Sequence, residues 1–390
     1  MSPSLRFPEF TGEWEKCKLG TLATKVGSGS TPKGGDAVYT SIGHYFVRSQ
    51  NVGMGFLMLD NIAHINDDIH QKHKATEIYE NDVLLNITGA SIGRTAVATK
   101  ELEGGNVNQH VCIIRTNSKV NPKFLCDYIQ TQRIQNHIKS LQTGGSREGL
   151  NFEQIRSFPI SLPSINEQNK LTCLLDKINE RIATQVRLIE DLKKLRCAII
   201  EKMFKQSKAN GRLGDFIEQV SVRNKNGLYS NVLSVSNKQG FVKQSEQFED
   251  RTVASEDTSN YKIVKRNNFA YNPARINVGS IARLTKFDVG IVSPMYVCFR
   301  TKASIIPEYM EAFFTSQQFF YEMMKRLEGS VRLCLSYEGL CNIPVYIPDM
   351  NKQIAMGQNI SLILSKIGLE IEYLGRLHQQ KQYLLRKMFI

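Results

Sequence analysis

Four short patterns in this chain have residue types and spacings that could carry chemistry. Gly89-Ala90-Ser91-Ile92-Gly93 has the spacing of a nucleophile elbow, which would present the Ser91 hydroxyl for acyl transfer if a strand led in and a helix led out. The next residues, Arg94-Thr95-Ala96-Val97-Ala98, read as a second strand, so a tight turn between strands is expected instead. Gly29 and Gly34 approach the spacing of a phosphate-binding loop, but Gly35-Asp36 stand where Lys and Ser/Thr must hold phosphate and Mg²⁺. Asn272-Pro273-Ala274-Arg275 starts like the Asn-Pro-Pro-aromatic motif of amino-methyltransferases, yet lacks the second proline and the aromatic. No Gly-rich nucleotide fingerprint precedes it. His70 and His73 lie among Asp67, Asp68 and Lys72 without evident third and fourth ligands, so a solvated polar loop is expected there. The eight cysteines, Cys17, Cys112, Cys126, Cys173, Cys197, Cys298, Cys334 and Cys341, form no C-x-x-C pair. Inert reduced thiols in a cytoplasmic protein are the expectation. The residue-level reading is a chain with no catalytic, cofactor-binding or metal site of its own.

The pattern that organises the sequence is a repeat at about 185 residues. Val111-Cys112-Ile113-Ile114-Arg115-Thr116 recurs as Tyr296-Val297-Cys298-Phe299-Arg300-Thr301. Gly145-Ser146-Arg147 with Phe152-Glu153 recurs as Gly329-Ser330-Val331-Arg332 with Tyr337-Glu338. Phe158-Pro159-Ile160-Ser161-Leu162-Pro163 returns as Ile343-Pro344-Val345-Tyr346-Ile347-Pro348, and Lys202-Met203-Phe204 as Lys387-Met388-Phe389. Asn166 and Gln168 reappear as Asn351 and Gln353. Two like units are most simply related by a pseudo-twofold, which duplex DNA also offers to a ligand with two reading heads.

Composition narrows the class. A 41% hydrophobic fraction supports a real core, and 22% charged residues are ordinary for a globular chain. No apolar run is long enough for a membrane span, and the N-terminus lacks the apolar stretch of a signal peptide. A net charge of +13 draws polyanions, nucleic acid first.

Two stretches read as long helices, about 166–206 and 351–390. The first carries a seam in steps of three and four: Leu171, Leu175, Ile178, Ile182, Val186, Ile189, Leu192, Leu195, Ile199 and Met203. The second repeats it at Met356, Ile360, Ile363, Ile367, Ile371, Leu374, Leu377, Gln380, Leu384 and Met388, with Gln380 its one polar break. Forty helical residues reach about 60 Å, too far to bury a stripe on a small domain, so each helix needs the other as an antiparallel partner. These helices hold +3 and +4 of the net charge. Pro163 and the Ser164-Ile165-Asn166-Glu167 capping-box pattern mark the first entry. Strand-like runs at 82–87, 95–98, 111–115, 268–271, 280–284 and 295–300 precede single helical stretches from Pro122 to about Leu141 and from Pro307 to about Leu327. The expected fold is α+β, with an N-terminal extension (1–15), a first globular domain (16–165), a first long helix (166–210), a second globular domain (211–348) and a second long helix (349–390).

The segments from Asn81 to Val97, Asn-Asp-Val-Leu-Leu-Asn-Ile-Thr-Gly-Ala-Ser-Ile-Gly-Arg-Thr-Ala-Val, and from Asn267 to Ser280 resemble a characteristic stretch of the specificity subunits of type I DNA restriction–modification systems. Leu162-Pro163…Glu167-Gln168 resembles that family's entry into its long helix; Ile347-Pro348…Lys352-Gln353 departs from it at Lys352. The resemblance implies two target-recognition domains that each read half of a bipartite sequence in double-stranded DNA. It implies an antiparallel coiled coil that sets the gap between the halves. It implies two docked methyltransferase subunits and, optionally, two ATP-dependent restriction subunits, with S-adenosylmethionine, ATP and Mg held by those partners. The residues chosen as DNA contacts are Lys33, Tyr45, Arg48, Gln50, Asn51, Arg94 and Arg147 in the first domain. In the second they are Arg223, Lys225, Asn237, Lys238, Arg275, Arg332 and Tyr337. All are read as loop or turn residues of types that bond base edges or phosphates. Arg115 and Arg300 end matched strands in both copies and are read as structural. Two other classes stay open on the residues alone: a hydrolase using Ser91, and a non-catalytic coiled-coil scaffold with non-specific DNA affinity.

Overall fold

The computed structural model describes residues 2–142, 149–205, 208–237, 239–244, 257–329 and 332–390. The chain forms two compact units, Met1–Gln185 with Tyr373–Ile390, and Val186–Glu372.

In the first unit a four-stranded antiparallel sheet runs in the order Ala23–Ser28, Val111–Thr116, Val83–Asn86, Thr95–Val97. Its central strands are apolar on both faces. Side chains alternate across a strand, so Val83, Leu85, Cys112 and Ile114 enter one core with the helices, while Leu84, Ile113 and Ala96 enter another. The second core is closed by a smaller sheet, Ala63–Ile65, His44–Val47, Asn106–Val107. The first core is closed by helices Pro122–Ile129 and Gln132–Gln142. The single helix expected here is broken at Gln130-Thr131, because the Thr131 hydroxyl bonds back to the Tyr128 carbonyl (2.7 Å) and restarts the chain at the Ile134 amide.

The second unit repeats this plan. Its sheet order is Ile217–Gln219, Val297–Thr301, Phe269–Tyr271, Ile281–Arg283, all antiparallel. Phe269, Tyr271 and Phe299 face the helical core, and Ala270 and Cys298 the other. That other core lies under the sheet Gly240–Lys243, Val232–Ser236, Val289–Val292, Lys262–Lys265. Here too the expected single helix is two, Pro307–Phe314 and Gln317–Met324, because Ser316 caps the second at the Phe319 amide (3.1 Å).

The long helices run Ile165–Lys205 and Met350–Met388. Within the first unit Leu171 and Leu175 share a core with Leu385, Met388 and Phe389. Within the second, Ile200 and Phe204 share one with Ile360 and, at its edge, Met356. In each unit early positions on one helix meet late positions on the other, which is antiparallel pairing. The seam shifts relative to the sequence reading. Val186, Leu195 and Ile371 are exposed, while Gln185, Ile200, Phe204, Lys381 and Leu385 are buried. A straight helix of 3.6 residues per turn drifts off a seam spaced at 3.5, so burial passes to neighbouring positions.

Entry into each helix is built around one buried glutamine. The Gln168 amide donates to the carbonyls of Lys119 (3.1 Å) and Pro163 (2.9 Å), and its oxygen accepts from the Asn121 amide (2.8 Å). Gln353 does the same with Ser304 (3.1 Å), Pro348 (2.9 Å) and Ile306 (3.0 Å). The capping box expected at Ser164 is only half formed. Ser164 Oγ accepts from the Glu167 amide at 3.4 Å, but the Glu167 carboxylate instead takes Arg6 Nε (2.7 Å) and Arg6 Nη2 (2.8 Å).

Candidate nucleic-acid interface

In both units the central hairpin ends in a partly exposed turn, braced in the first by Gln135, which donates to the Gly93 carbonyl (3.0 Å), and in the second by Ile276, which is buried in the helical core. In the first unit this is Gly89–Ser91, followed by Gly93 at φ +85°; in the second it is Ile276–Val278, followed by Gly279 at φ +88°. Both glycines sit in the left-handed region, which tightens the turn and lifts its side chains clear of the sheet. Thr95–Val97 follows Ser91 as a strand paired with Val83–Leu85, so the nucleophile-elbow pattern is a hairpin turn.

Two further loops flank the first turn. The Asn86 amide donates to the Ser49 carbonyl (2.8 Å) and the Gly55 amide to the Thr95 carbonyl (2.7 Å), which holds segment 48–58 beside Arg94. On the other side the Leu150 amide bonds the Ile87 carbonyl (2.8 Å). A polar network missed in the sequence also reaches this turn, running from Thr31 to Gln109, His110 and Thr88. Asn108-Gln109-His110 is a polar run between two apolar strands, a signal that could have pointed to it.

Of the first unit's candidates, Lys33, Gln50 and Arg94 are exposed. Arg48 lies over the Tyr39 ring, 5.4 Å from its centroid. Asn51 is buried; it accepts from the Arg48 amide (2.9 Å) and donates to the Met58 carbonyl (2.9 Å), so it builds the loop and cannot reach a base. Tyr45 is on strand His44–Val47 rather than in a loop. Its hydroxyl donates to Glu101 (3.3 Å), whose charge raises the phenol above its ordinary pKa. Arg147 lies outside the described residues.

The second unit gathers its candidates similarly. Asn237 packs against Gly279 of the turn that carries Arg275, and the Leu335 amide bonds the Pro273 carbonyl (3.1 Å), which brings in the loop of Arg332. Asn237, Arg275 and Arg332 are all exposed. Arg223 and Lys225 are exposed on a separate stretch, where Arg223 donates to Asn260 (3.0 Å). Tyr337 is half-buried and opens helix Tyr337–Cys341, where burial raises its pKa, so it belongs to the scaffold rather than to a loop. Lys238 lies outside the described residues.

Arg115 clamps the Asp82 carboxylate with both Nε (2.8 Å) and Nη2 (2.7 Å) and stacks 3.6 Å from the centroid of the Tyr79 ring. Arg300 pairs with Glu218. Both are structural ends of strands. The expected solvated loop at His70 is instead a helix, Asp67–Lys72, because Asn66 caps it at the Ile69 amide (3.0 Å). His70 is buried against His44, with ring centroids 3.8 Å apart, and bonds Asn106 (2.8 Å), whereas His73 bonds Ser30 (3.1 Å). Among the described residues no helix is long and apolar enough to cross a membrane.

Residues 11–194 match the model of the type I restriction modification DNA specificity domain. A stretch of 135 residues is 24% identical to the type I restriction enzyme EcoBI specificity subunit of Escherichia coli, spanning 34% of this chain and only 28% of that protein. The S subunit of a type I restriction-modification system from M. genitalium has a similar fold, with a TM-score of 0.60 and 17% identity, covering 100% of this chain and 99% of that one. A chain solved in a study of complex assembly and conformational transition of the type I R-M system superposes with a TM-score of 0.59 at 14% identity, covering 98% of each.

Proposed function

We propose, from the match of residues 11–194 to the type I restriction modification DNA specificity domain, that this chain is the non-catalytic, sequence-reading subunit of such a system. Each unit reads one half of a bipartite site through the exposed turn and its flanking loops, with Arg94 and Arg275 as the central contacts. Two methyltransferase subunits dock on the chain, and two restriction subunits join them in the complete assembly. S-adenosylmethionine, ATP and Mg belong to those partners.

The observation that carries this reading is the pairing of a common scaffold with unlike loops. The central four-stranded sheets match strand for strand, yet the second sheets have three strands and four, and the segment Arg48–Ile62 of the first unit stands where only three residues separate Val232–Ser236 from Gly240–Lys243 in the second. Two heads that read different half-sites need this combination, since sequence is read by side chains at base edges and not by the scaffold.

The test is to map methylated adenines genome-wide in cells with and without the gene, alongside its methyltransferase partner. A bipartite motif methylated only when the gene is present is the expected result. Identical maps, with both proteins expressed, would reject the reading in favour of a scaffold that touches DNA through charge alone.

A further inference from the structure

In the first unit a cavity of about 340 Å³ opens between a tight hairpin at 52–57, helix Pro122–Ile129 and the first long helix. Its lining includes the apolar Phe56, Leu57 and Val97 and the acidic Glu101, Asp127 and Asp176. Among the described lining residues the one cation is Lys123, which bonds Asp176 at 2.7 Å.

The hairpin that forms the rim is rigid and apolar. Met54, Phe56 and Met58 are 37%, 57% and 36% exposed. The Gly53 amide bonds the Phe56 carbonyl at 2.9 Å, and the Gly55 amide bonds Thr95. The Phe56 ring lies so close over Gly53 that a Cβ there would stand 2.6 Å from it. The floor is under-compensated. Asp127 is 5% exposed, and its carboxylate takes a long 3.3 Å hydrogen bond from Gln130. The neighbouring Lys381 ammonium donates to Gln130 Oε1 (3.1 Å). Burial therefore pushes Asp127 up to about 7.

Three acidic side chains against the one lining cation, Lys123, make this an acid-rich patch on a chain of net charge +13, which suits a cationic group better than phosphate. An aromatic ring in a cavity lined by one buried carboxyl, Asp127, and the more exposed Glu101 and Asp176 fits a guanidinium, which stacks on the ring and bonds acids in its plane. We propose that this cavity receives an arginine side chain of a protein partner and, resting on the reading above, that the partner is the methyltransferase subunit docked on the first unit.

The direct test is calorimetric titration of the full-length chain with N-acetyl-arginine amide, against N-acetyl-citrulline amide as the neutral isostere. The arginine probe should saturate at about millimolar concentration, and citrulline should bind about tenfold more weakly or not at all. Asp176→Lys and Phe56→Ser should each weaken arginine binding about tenfold with thermal melts unchanged. Equal binding of the two probes, or variants that bind arginine like the parent, would overturn the site. In the second arm the same variants should weaken association with the methyltransferase about tenfold. Variants that bind the methyltransferase normally would overturn the partner assignment, and lost discrimination at one half-site alongside would show that the hairpin serves DNA reading together with Arg48 and Gln50 of the same loop. A parent chain that binds arginine amide but no methyltransferase would overturn the partner assignment together with the proposed function, and leave the arginine site standing.

Discussion

The two units agree where side chains are buried on both faces and differ where backbone is exposed. In the central sheets Val83-Leu84-Leu85 and Phe269-Ala270-Tyr271 differ in every side chain yet hold the same place and pairing. A one-residue slip would turn each inward set onto the opposite face, so register is held by both cores at once. The segment after the next sheet's first strand obeys no such constraint. It is a hairpin-bearing insertion after Val47 in one unit and a short turn after Ser236 in the other. Specificity can diverge there at little cost to the fold.

The strongest challenge to this equivalence is at the helix ends. Phe389 packs on Phe124 in the first unit (5.4 Å between centroids), and Phe204 packs on Tyr309 (5.3 Å) and Phe313 (5.2 Å) in the second. Phe389→Ala and Phe204→Ala should each cost about 3–5 kcal/mol, and hydrogen exchange should localise each loss to its own unit. A loss spread evenly over both would break the comparison. Next in size, Arg94→Ala and Arg275→Ala should each relax one half-site by about 1–3 kcal/mol and leave the other unchanged in binding to mismatched sites. Gln168→Ala and Gln353→Ala leave three backbone groups without their partner in each case, and should destabilise by about 1–3 kcal/mol with nearly equal shifts in denaturant midpoint. Unequal shifts would show that the two helix entries are alike in geometry only.

The smallest effect separates the units by pH. The Asp127 carboxyl titrates at about 7 in the folded chain, well above its unfolded value. The folded state therefore holds the proton more tightly, and stability should fall as pH rises from about 4 to about 7, then level off. Asp127→Asn should flatten this slope and raise the melting temperature at pH 8 by a few degrees, at about 2–4 °C per kcal/mol. In the second unit Glu311 is also raised by burial but is held by Arg283 at 2.9 Å, so the same substitution there removes an ion pair. Because Arg283 offsets part of that burial cost, Glu311→Gln should raise the melting temperature at pH 8 by less than Asp127→Asn does.

Much of this was legible in the residues. Apolar runs between turn residues located six of the eight strands of the two central sheets, the seams located both long helices, and the repeat picked out the glutamines and phenylalanines that fasten them. The repeat also set Arg115 and Arg300 apart as structural. It did not separate Asn51, a loop brace, from Gln50, an exposed neighbour, because both are polar residues in the same short segment. Nor did it expose the polar chain from Thr31 to Thr88, whose members come from three separate segments and meet only when the strands pair.

By itself the sequence determined what periodicity and repetition can encode: two copies of one α+β plan, helices long enough to require each other, and a basic surface. Tertiary structure decided which side chains remain free. Gln130, Asn86 and Gln168 are ordinary polar residues in the sequence, and each is spent on a neighbour far along the chain. Lys381 is buried where the heptad pattern expected Gln380, since an unstrained helix turns more slowly than its apolar spacing requires. Hydrogen-bond partners and burial depend on which distant backbone arrives beside a residue, and local spacing carries no record of that.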